Sequence, residues 1–176
     1  MTSKFLLGAA ILFFVPTLFA QHLSVSKKDV PFFDFDISGS TGNYNGKTYT
    51  EVQLGLNLNF AEWLTWRNAA FQRFSSGTDK NLVGLDSSLR FSQDFPFDTG
   101  TLKFFAGPGY RWAERSDRNA FFGEVGTGFH LGRLAAEAGV RFMHYDKTQF
   151  DSSGLETKQE DISYFITVAG GAGLSF

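Results

Sequence analysis

The sequence predicts an all-β protein, an eight-stranded antiparallel up-and-down transmembrane β-barrel. Three observations support this prediction. Apolar and polar residues alternate with a period of two along eight segments, as expected for strands with two different faces. The polar face of these segments carries equal numbers of acids and bases and is rich in glycine. Aromatic residues gather near the segment ends, where membrane barrels carry their two interfacial girdles.

The N-terminus has the form of a secretory signal peptide. A short basic region is followed by an apolar run over residues 5–15 and by a small-residue cleavage site at Ala20. The apolar run is too short to span a membrane as a helix. We therefore expect residues 1–20 to be removed on export, residues 21–31 to form a periplasmic lead-in and residues 32–176 to form a barrel in the cell outer membrane.

Composition excludes several classes of function. The net charge of −2 gives no strong attraction to nucleic acid, and the lack of cysteine excludes disulfides and thiolate metal sites. His22, His130 and His144 do not have the spacing of metal ligands. There is neither a phosphate-binding glycine loop nor a nucleophile elbow. We predict no metal, no cofactor and no nucleic-acid partner.

The second segment, EVQLGLNLNF, shows the alternation most clearly. Leu54, Leu56 and Leu58 share one face, and Glu51 and Gln53 begin the other. The remaining segments follow the same rule, with short connections at one end and polar loops at the other. The stretch QDFPFDT, after the fourth segment, is expected to be one of the short connections. Short turns facing the periplasm and longer loops facing outward are typical of outer-membrane barrels.

The third segment, residues 64–74, is the most difficult to orient. Arg67 and Arg73 share one face, but the opposite face mixes Trp66 and Phe74 with polar residues. The alternation alone therefore leaves the facing of this strand open.

The polar face is predicted to line the lumen. Small residues there would make room for large ones, because the interior of an eight-stranded barrel is only just wide enough for side chains. An equal number of acids and bases suits an enclosed lumen, since an unpaired buried charge is costly. Such a plug would allow at most small, irregular conductance. The predicted lumen charge network comprises Asp34, Asp36, Glu51, Arg67, Arg73, Asp86, Arg90, Lys103, Arg111, Glu124, Glu137 and Arg141.

The signal peptide, the eight segments, the stretch FFAGPGYRW and the terminal GAGLSF resemble the small outer-membrane β-barrels of Gram-negative bacteria, of OmpA-transmembrane or OmpX type. This resemblance covers the whole mature chain. It implies a monomer surrounded by outer-membrane lipid and lipopolysaccharide, with a structural or surface-interaction role for its extracellular loops. The loop over residues 146–160 is the best candidate for contacting a surface ligand. The resemblance also implies a signal for the barrel-assembly machinery, formed by Tyr164, Ile166, Val168, Leu174 and Phe176.

A second, local resemblance involves the stretch AGVRFMHYDKTQFDSSGLE, which is similar to the PagL-type lipid A deacylases. In that family a histidine base near a strand end is followed two residues later by a serine nucleophile, with a glutamate about a dozen residues further on. His144 matches the base, but Asp146 stands at the nucleophile position, and Glu156 and Glu160 straddle the position of the acid. The resemblance therefore implies an alternative function, that of an inactive deacylase-like barrel, while the main expectation is a protein that is not an enzyme.

A second alternative is a soluble, secreted barrel that binds an apolar ligand, as lipocalins do. This alternative inverts the two faces of every strand. It would place Leu54, Leu56 and Phe104 around an internal cavity.

Overall fold

The computed structural model describes residues 31–44, 47–75, 81–131, 134–150, 154, 156–157 and 160–170, and in them the predicted eight-stranded antiparallel barrel is confirmed. Each barrel strand pairs with its neighbours in antiparallel fashion, and the last barrel strand pairs with the first to close the sheet. The barrel strands are β1 (Phe33–Tyr44), β2 (Lys47–Ala61), β3 (Leu64–Ser75), β4 (Leu82–Phe97), β5 (Gly100–Ala113), β6 (Ala120–Leu131), β7 (Leu134–Tyr145) and β10 (Glu160–Gly170). Within the loop between β7 and β10, β8 (Gln149–Phe150) pairs with β9 (Glu156–Thr157).

The apolar face of the strands points outward and the charged face points into the lumen. On β2, for example, Leu54 is 62% exposed whereas Gln53 is 2% exposed. The lipocalin-like alternative is therefore wrong, because it required the leucines to surround a cavity. The facing of β3 is also settled, since Arg67 and Arg73 are buried while Trp66 lies on the outer wall.

Cross-strand registers fix the tilt of the barrel. A row of paired residues that starts at Asp34 on β1 climbs strand by strand to Asp161 on β10. Continued in the β10–β1 register, this row returns to β1 level with Tyr44, ten residues above its start. The shear number is therefore 10, and in an eight-stranded barrel this corresponds to strands tilted by about 40° from the axis.

The expectation that the stretch QDFPFDT forms a short connection is wrong. Strand β4 continues to Phe97, which pairs with Gly100, so that only two residues form the turn. The pairing with β3 stops at Phe91, and beyond Ser92 the β3-facing edge of β4 is unpaired. Because Pro96 has the same parity as Ser92, its missing N–H lies on this unpaired edge, which is where a strand tolerates proline.

Two features complete the described chain. A short 3₁₀ helix, Ser116–Arg118, lies between β5 and β6 at the loop end of the barrel. Among the residues that the structure describes, no helix has the length and apolarity needed to cross a membrane. The proposed signal peptide and two residues of the proposed assembly signal, Leu174 and Phe176, lie outside the described residues.

Candidate functional site

The loop-end half of the lumen is filled by a chain of ion pairs in which basic and acidic side chains alternate. The Arg73 guanidinium donates to Glu51 at 2.7 Å, and Arg111 donates to the same Glu51 carboxylate at 2.7 Å. Arg111 also donates to Asp86 at 2.7 Å. All four side chains are at most 2% exposed, and the pairs join strands β2, β3, β4 and β5.

The chain of ion pairs continues without a break towards the turn end. Arg141 donates to Asp86 at 2.7 Å and to Glu124 at 3.0 Å. Arg90 then donates to Glu124 at 2.7 Å and to Glu137 at 3.1 Å. The chain ends at Lys103, whose ammonium lies 3.9 Å from the Glu137 carboxylate. Every carboxylate in this chain therefore contacts two basic groups, which offsets the cost of burying its charge.

A side branch joins the remaining predicted residues to this chain. Arg67 donates to Asp36 at 2.7 Å, and the Asn57 amide donates to Asp36 at 2.9 Å and to Asp34 at 2.7 Å. Arg67 also donates to the Gln53 side-chain carbonyl at 3.2 Å, and the Gln53 amide donates to Asp86 at 3.3 Å, which joins this branch to the chain. The structure thus brings all twelve residues of the predicted network into one lumen, ten of them buried and the other two, Asp34 and Lys103, half-buried.

The loop-end mouth of the lumen contains a cluster that the sequence analysis missed. The Tyr49 hydroxyl donates to the buried Asp161 carboxylate at 2.6 Å, and the Tyr145 hydroxyl donates to it at 3.4 Å. Extending the period of two by one step from Glu51 to Tyr49, or by two steps from Arg141 to Tyr145, would have found the tyrosines.

Arg118 closes the mouth from above. It extends from the 3₁₀ helix, is 6% exposed, donates to the Tyr44 hydroxyl at 3.0 Å and stacks over the Tyr44 ring. No strand periodicity could have predicted this contact, because Arg118 belongs to a connection rather than to a strand.

Aromatic rings fill the space that the lumen glycines leave open. An added Cβ at Gly84 would lie 2.7 Å from the Phe71 ring, and Phe71 is the cross-strand partner of Gly84. The Arg111 guanidinium stacks over this ring, 3.9 Å from its centroid. The same pairing of an aromatic residue with a glycine recurs at Tyr49–Gly42, Phe105–Gly126, Phe122–Gly109 and Phe165–Gly139.

The lumen therefore has the features of a packed plug. Salt bridges, cation–π stacks and aromatic rings occupy it from the mouth to the turn end. Within the described ranges, no group of histidine, aspartate and glutamate side chains could hold a metal ion. The arrangement can stabilise the barrel.

The outer wall has a groove where the ladder between β4 and β5 is interrupted. Pairing runs from Gly84 to Ser88 and resumes at Phe91, with no pair opposite Pro108. Proline removes a ladder hydrogen bond, so the interruption follows from its missing N–H. A hollow of about 340 Å³ lies over this interruption and is rimmed by Trp66, Leu89, Tyr110, Trp112 and Phe121.

His144 lies on the same wall, near the loop end. Its side chain is exposed, and its cross-strand partners are Phe121 on β6 and Glu160 on β10. Asp146 accepts a hydrogen bond from the Tyr110 hydroxyl at the rim of the groove. A histidine and two carboxylates therefore share the loop-end rim, although no hydrogen bond links His144 to either of them within the described part of the chain.

Comparison with known proteins bears on the fold alone. No family model matches the chain, and no curated protein matches it. The barrel is similar to that of the outer membrane enzyme PagL. The two structures superpose with a TM-score of 0.52 and 20% sequence identity, over 76% of this chain and 97% of the other.

The likeness to PagL agrees with the expectation of a small barrel of this type. At 20% identity it carries no residue role from PagL to this chain. Tyr164, Ile166 and Val168, from the predicted assembly signal, are exposed in a row along the outer face of β10.

Proposed function

We propose that this chain is an outer-membrane protein whose barrel crosses the bilayer and whose lumen is closed. The observation that carries this proposal is that the barrel has apolar side chains outside and charged side chains inside, the reverse of a water-soluble protein. Leucine, valine, phenylalanine and tryptophan side chains cover its outer wall, while ten charged residues of the predicted network are buried inside. Water would be a poor solvent for such a surface, whereas hydrocarbon suits it.

The packed lumen supports a role other than transport. Among the residues that the structure describes, the continuous ion-pair chain and the Arg118 contact occupy the axis along which a hydrated solute would pass. The protein would then act by stabilising the envelope or through its loops, among which the connection between β7 and β10 is the best candidate for binding a partner.

Fractionation and protease accessibility test this proposal together. We expect the protein in the outer-membrane fraction, with heat-modifiable electrophoretic mobility, and we expect cleavage in intact cells to fall in the β7–β10 connection. Recovery of the chain in the soluble fraction without detergent would contradict the membrane location. Cleavage only after the envelope is opened would contradict the orientation.

A second candidate function is a deacylase-like lipid site on the outer wall. Its support is the exposed position of His144 beside Glu160, with an aromatic groove next to it on the surface that would face lipid. Asp146 occupies the place where the resembling family carries its serine, and a carboxylate cannot form the acyl-enzyme by the serine route. This site would therefore bind a lipid without cleaving it.

Mass spectrometry of lipid A separates the two candidates. Cells that produce the wild-type chain should have unchanged lipid A under both. If the second candidate is correct, Asp146→Ser should release an acyl chain from lipid A, and adding His144→Ala should abolish that release. Unchanged lipid A in cells producing a folded Asp146→Ser variant would contradict the deacylase-like candidate and leave the first one intact.

A further inference from the structure

The outer wall carries three polar side chains in a region where apolar residues would be expected. Asn68 and Gln72 point outward from β3, and Ser87 points outward from β4. Ser87 accepts a hydrogen bond from the Trp66 indole at 2.8 Å, but neither carboxamide has a partner among the residues that the structure describes. An unpaired amide is costly in hydrocarbon, so these groups need an explanation.

The polar side chains lie beside the groove of the outer wall. Asn68 is the cross-strand partner of Ser87, and Ser87 is the partner of Tyr110 at the groove rim. Between the two carboxamides stands Ala70, a small residue that lets another surface approach β3 closely. One wall therefore combines unpaired hydrogen-bonding groups, a small residue and a concave surface.

The tilt of the strands determines how the walls of two copies would face each other across a twofold axis. Two copies inserted in the same direction are related by an axis along the membrane normal. Because the strands tilt by about 40°, strands of the two copies cross at nearly a right angle. With the axis at Asn68, strand β3 of one copy then runs along the cross-strand row of the other, from Asn68 past Ser87 towards Tyr110.

We propose that the wall formed by β3, β4 and β5 binds a second copy of this chain, with Asn68 on the twofold axis. The two Asn68 carboxamides pair, because each offers both a donor and an acceptor. Ala70 of one copy lies over Ser87 of the other, and Gln72 reaches the Tyr110 end of the groove. A lipid chain offers no hydrogen bonds to these amides, which favours a protein partner. This dimer departs from the expected monomer, and it rests on the membrane location proposed above.

Cross-linking in membranes tests the dimer, since the chain has no native cysteine. Ala70→Cys and Ser87→Cys would be produced together as single variants with different tags and then oxidised in isolated membranes. We expect a mixed disulfide dimer. Ala138→Cys replaces Ala70→Cys in the matched control, because Ala138 is exposed on β7, on the opposite side of the barrel. Asn68→Leu, which keeps the branching at Cγ but removes both hydrogen-bonding groups, should lower the yield of mixed dimer by about tenfold.

The readouts separate failure of the dimer from failure of the membrane proposal. Heat-modifiable mobility shows that each variant is folded, and fractionation reports its location independently of cross-linking. Equal yields for the Ala70 and Ala138 combinations would overturn the dimer. So would an undiminished yield with Asn68→Leu, or adducts of the Ala70 variant with other proteins in place of the mixed dimer.

Discussion

At the scale of single residues, the charged side chains of the lumen differ in how many oppositely charged groups they contact. Arg141 contacts two carboxylates and is 2% exposed, whereas Lys103 contacts one carboxylate at 3.9 Å from a half-buried position. The cost of removing a charge should follow this difference, because a buried ion left without its partner is far more costly than an exposed one.

We predict a graded loss of stability along the ion-pair chain. Arg141→Leu should lower the free energy of unfolding by about 3–5 kcal/mol, since it leaves Asp86 and Glu124 with one basic partner each. Glu137→Leu should cost less, and Lys103→Met should change stability by less than about 0.5 kcal/mol. Urea unfolding in detergent micelles measures all three. Equal values for Arg141→Leu and Lys103→Met would contradict the network.

At the scale of elements, the paired glycines and rings determine how neighbouring strands pack in the lumen. Gly109 on β5 faces Phe122 on β6, and an added methyl group would overlap the Phe122 ring. The ring in turn supports the Arg141 guanidinium, 4.4 Å from its centroid. By contrast, Gly123 lies on the outer face with no atom within 4 Å of an added Cβ.

We therefore predict that Gly109→Ala destabilises the barrel by about 1–3 kcal/mol through overpacking. Adding Phe122→Leu should recover part of this loss, so the two changes should be non-additive in a double-mutant cycle. Gly123→Ala is the matched control and should be close to neutral. Additive effects of Gly109→Ala and Phe122→Leu would show that the ring and the glycine do not share one space.

The unpaired edge of β4 leads to a prediction about folding. Pro96→Thr restores an N–H on an edge that has no partner strand beyond Ser92. Such an edge can pair with another chain, so we expect a lower yield of folded monomer on refolding from urea into micelles. The unfolding temperature of the folded fraction serves as the control and should stay unchanged. An unchanged refolding yield would argue against a protective role for the proline.

At the scale of the whole molecule, the alternation of residues predicted the barrel, and the balanced charges and the glycines on one face predicted which charged residues line its lumen. Within a strand the facing follows directly from a period of two, so Asp36 and Glu51 needed only the correct parity. The alternation did not reveal the end of β4, since Pro96 resembles a turn residue until the unpaired edge is known. It also could not reveal Arg118 or the groove at Pro108, which depend on how separate strands and connections meet.

We also predict that the stability of the whole barrel is insensitive to salt. The screening length falls from about 10 Å in 0.1 M salt to about 3 Å in 1 M salt, but screening acts only where ions can enter. The lumen pairs are almost fully buried, so the unfolding temperature in a non-ionic detergent should shift little between these two concentrations. Circular dichroism during heating measures it, and a marked drop at high salt would mean that the lumen admits ions.

The ion pairs also determine the mechanical behaviour of the cylinder. Glu51 on β2 holds Arg111 on β5, and Asp86 on β4 holds Arg141 on β7, so each contact spans three steps around the ring. Such contacts act as internal struts that cross the section instead of following its circumference. A barrel with such contacts across its lumen resists deformation to an elliptical cross-section. The barrel should therefore keep a round cross-section under lateral pressure that would flatten an empty one.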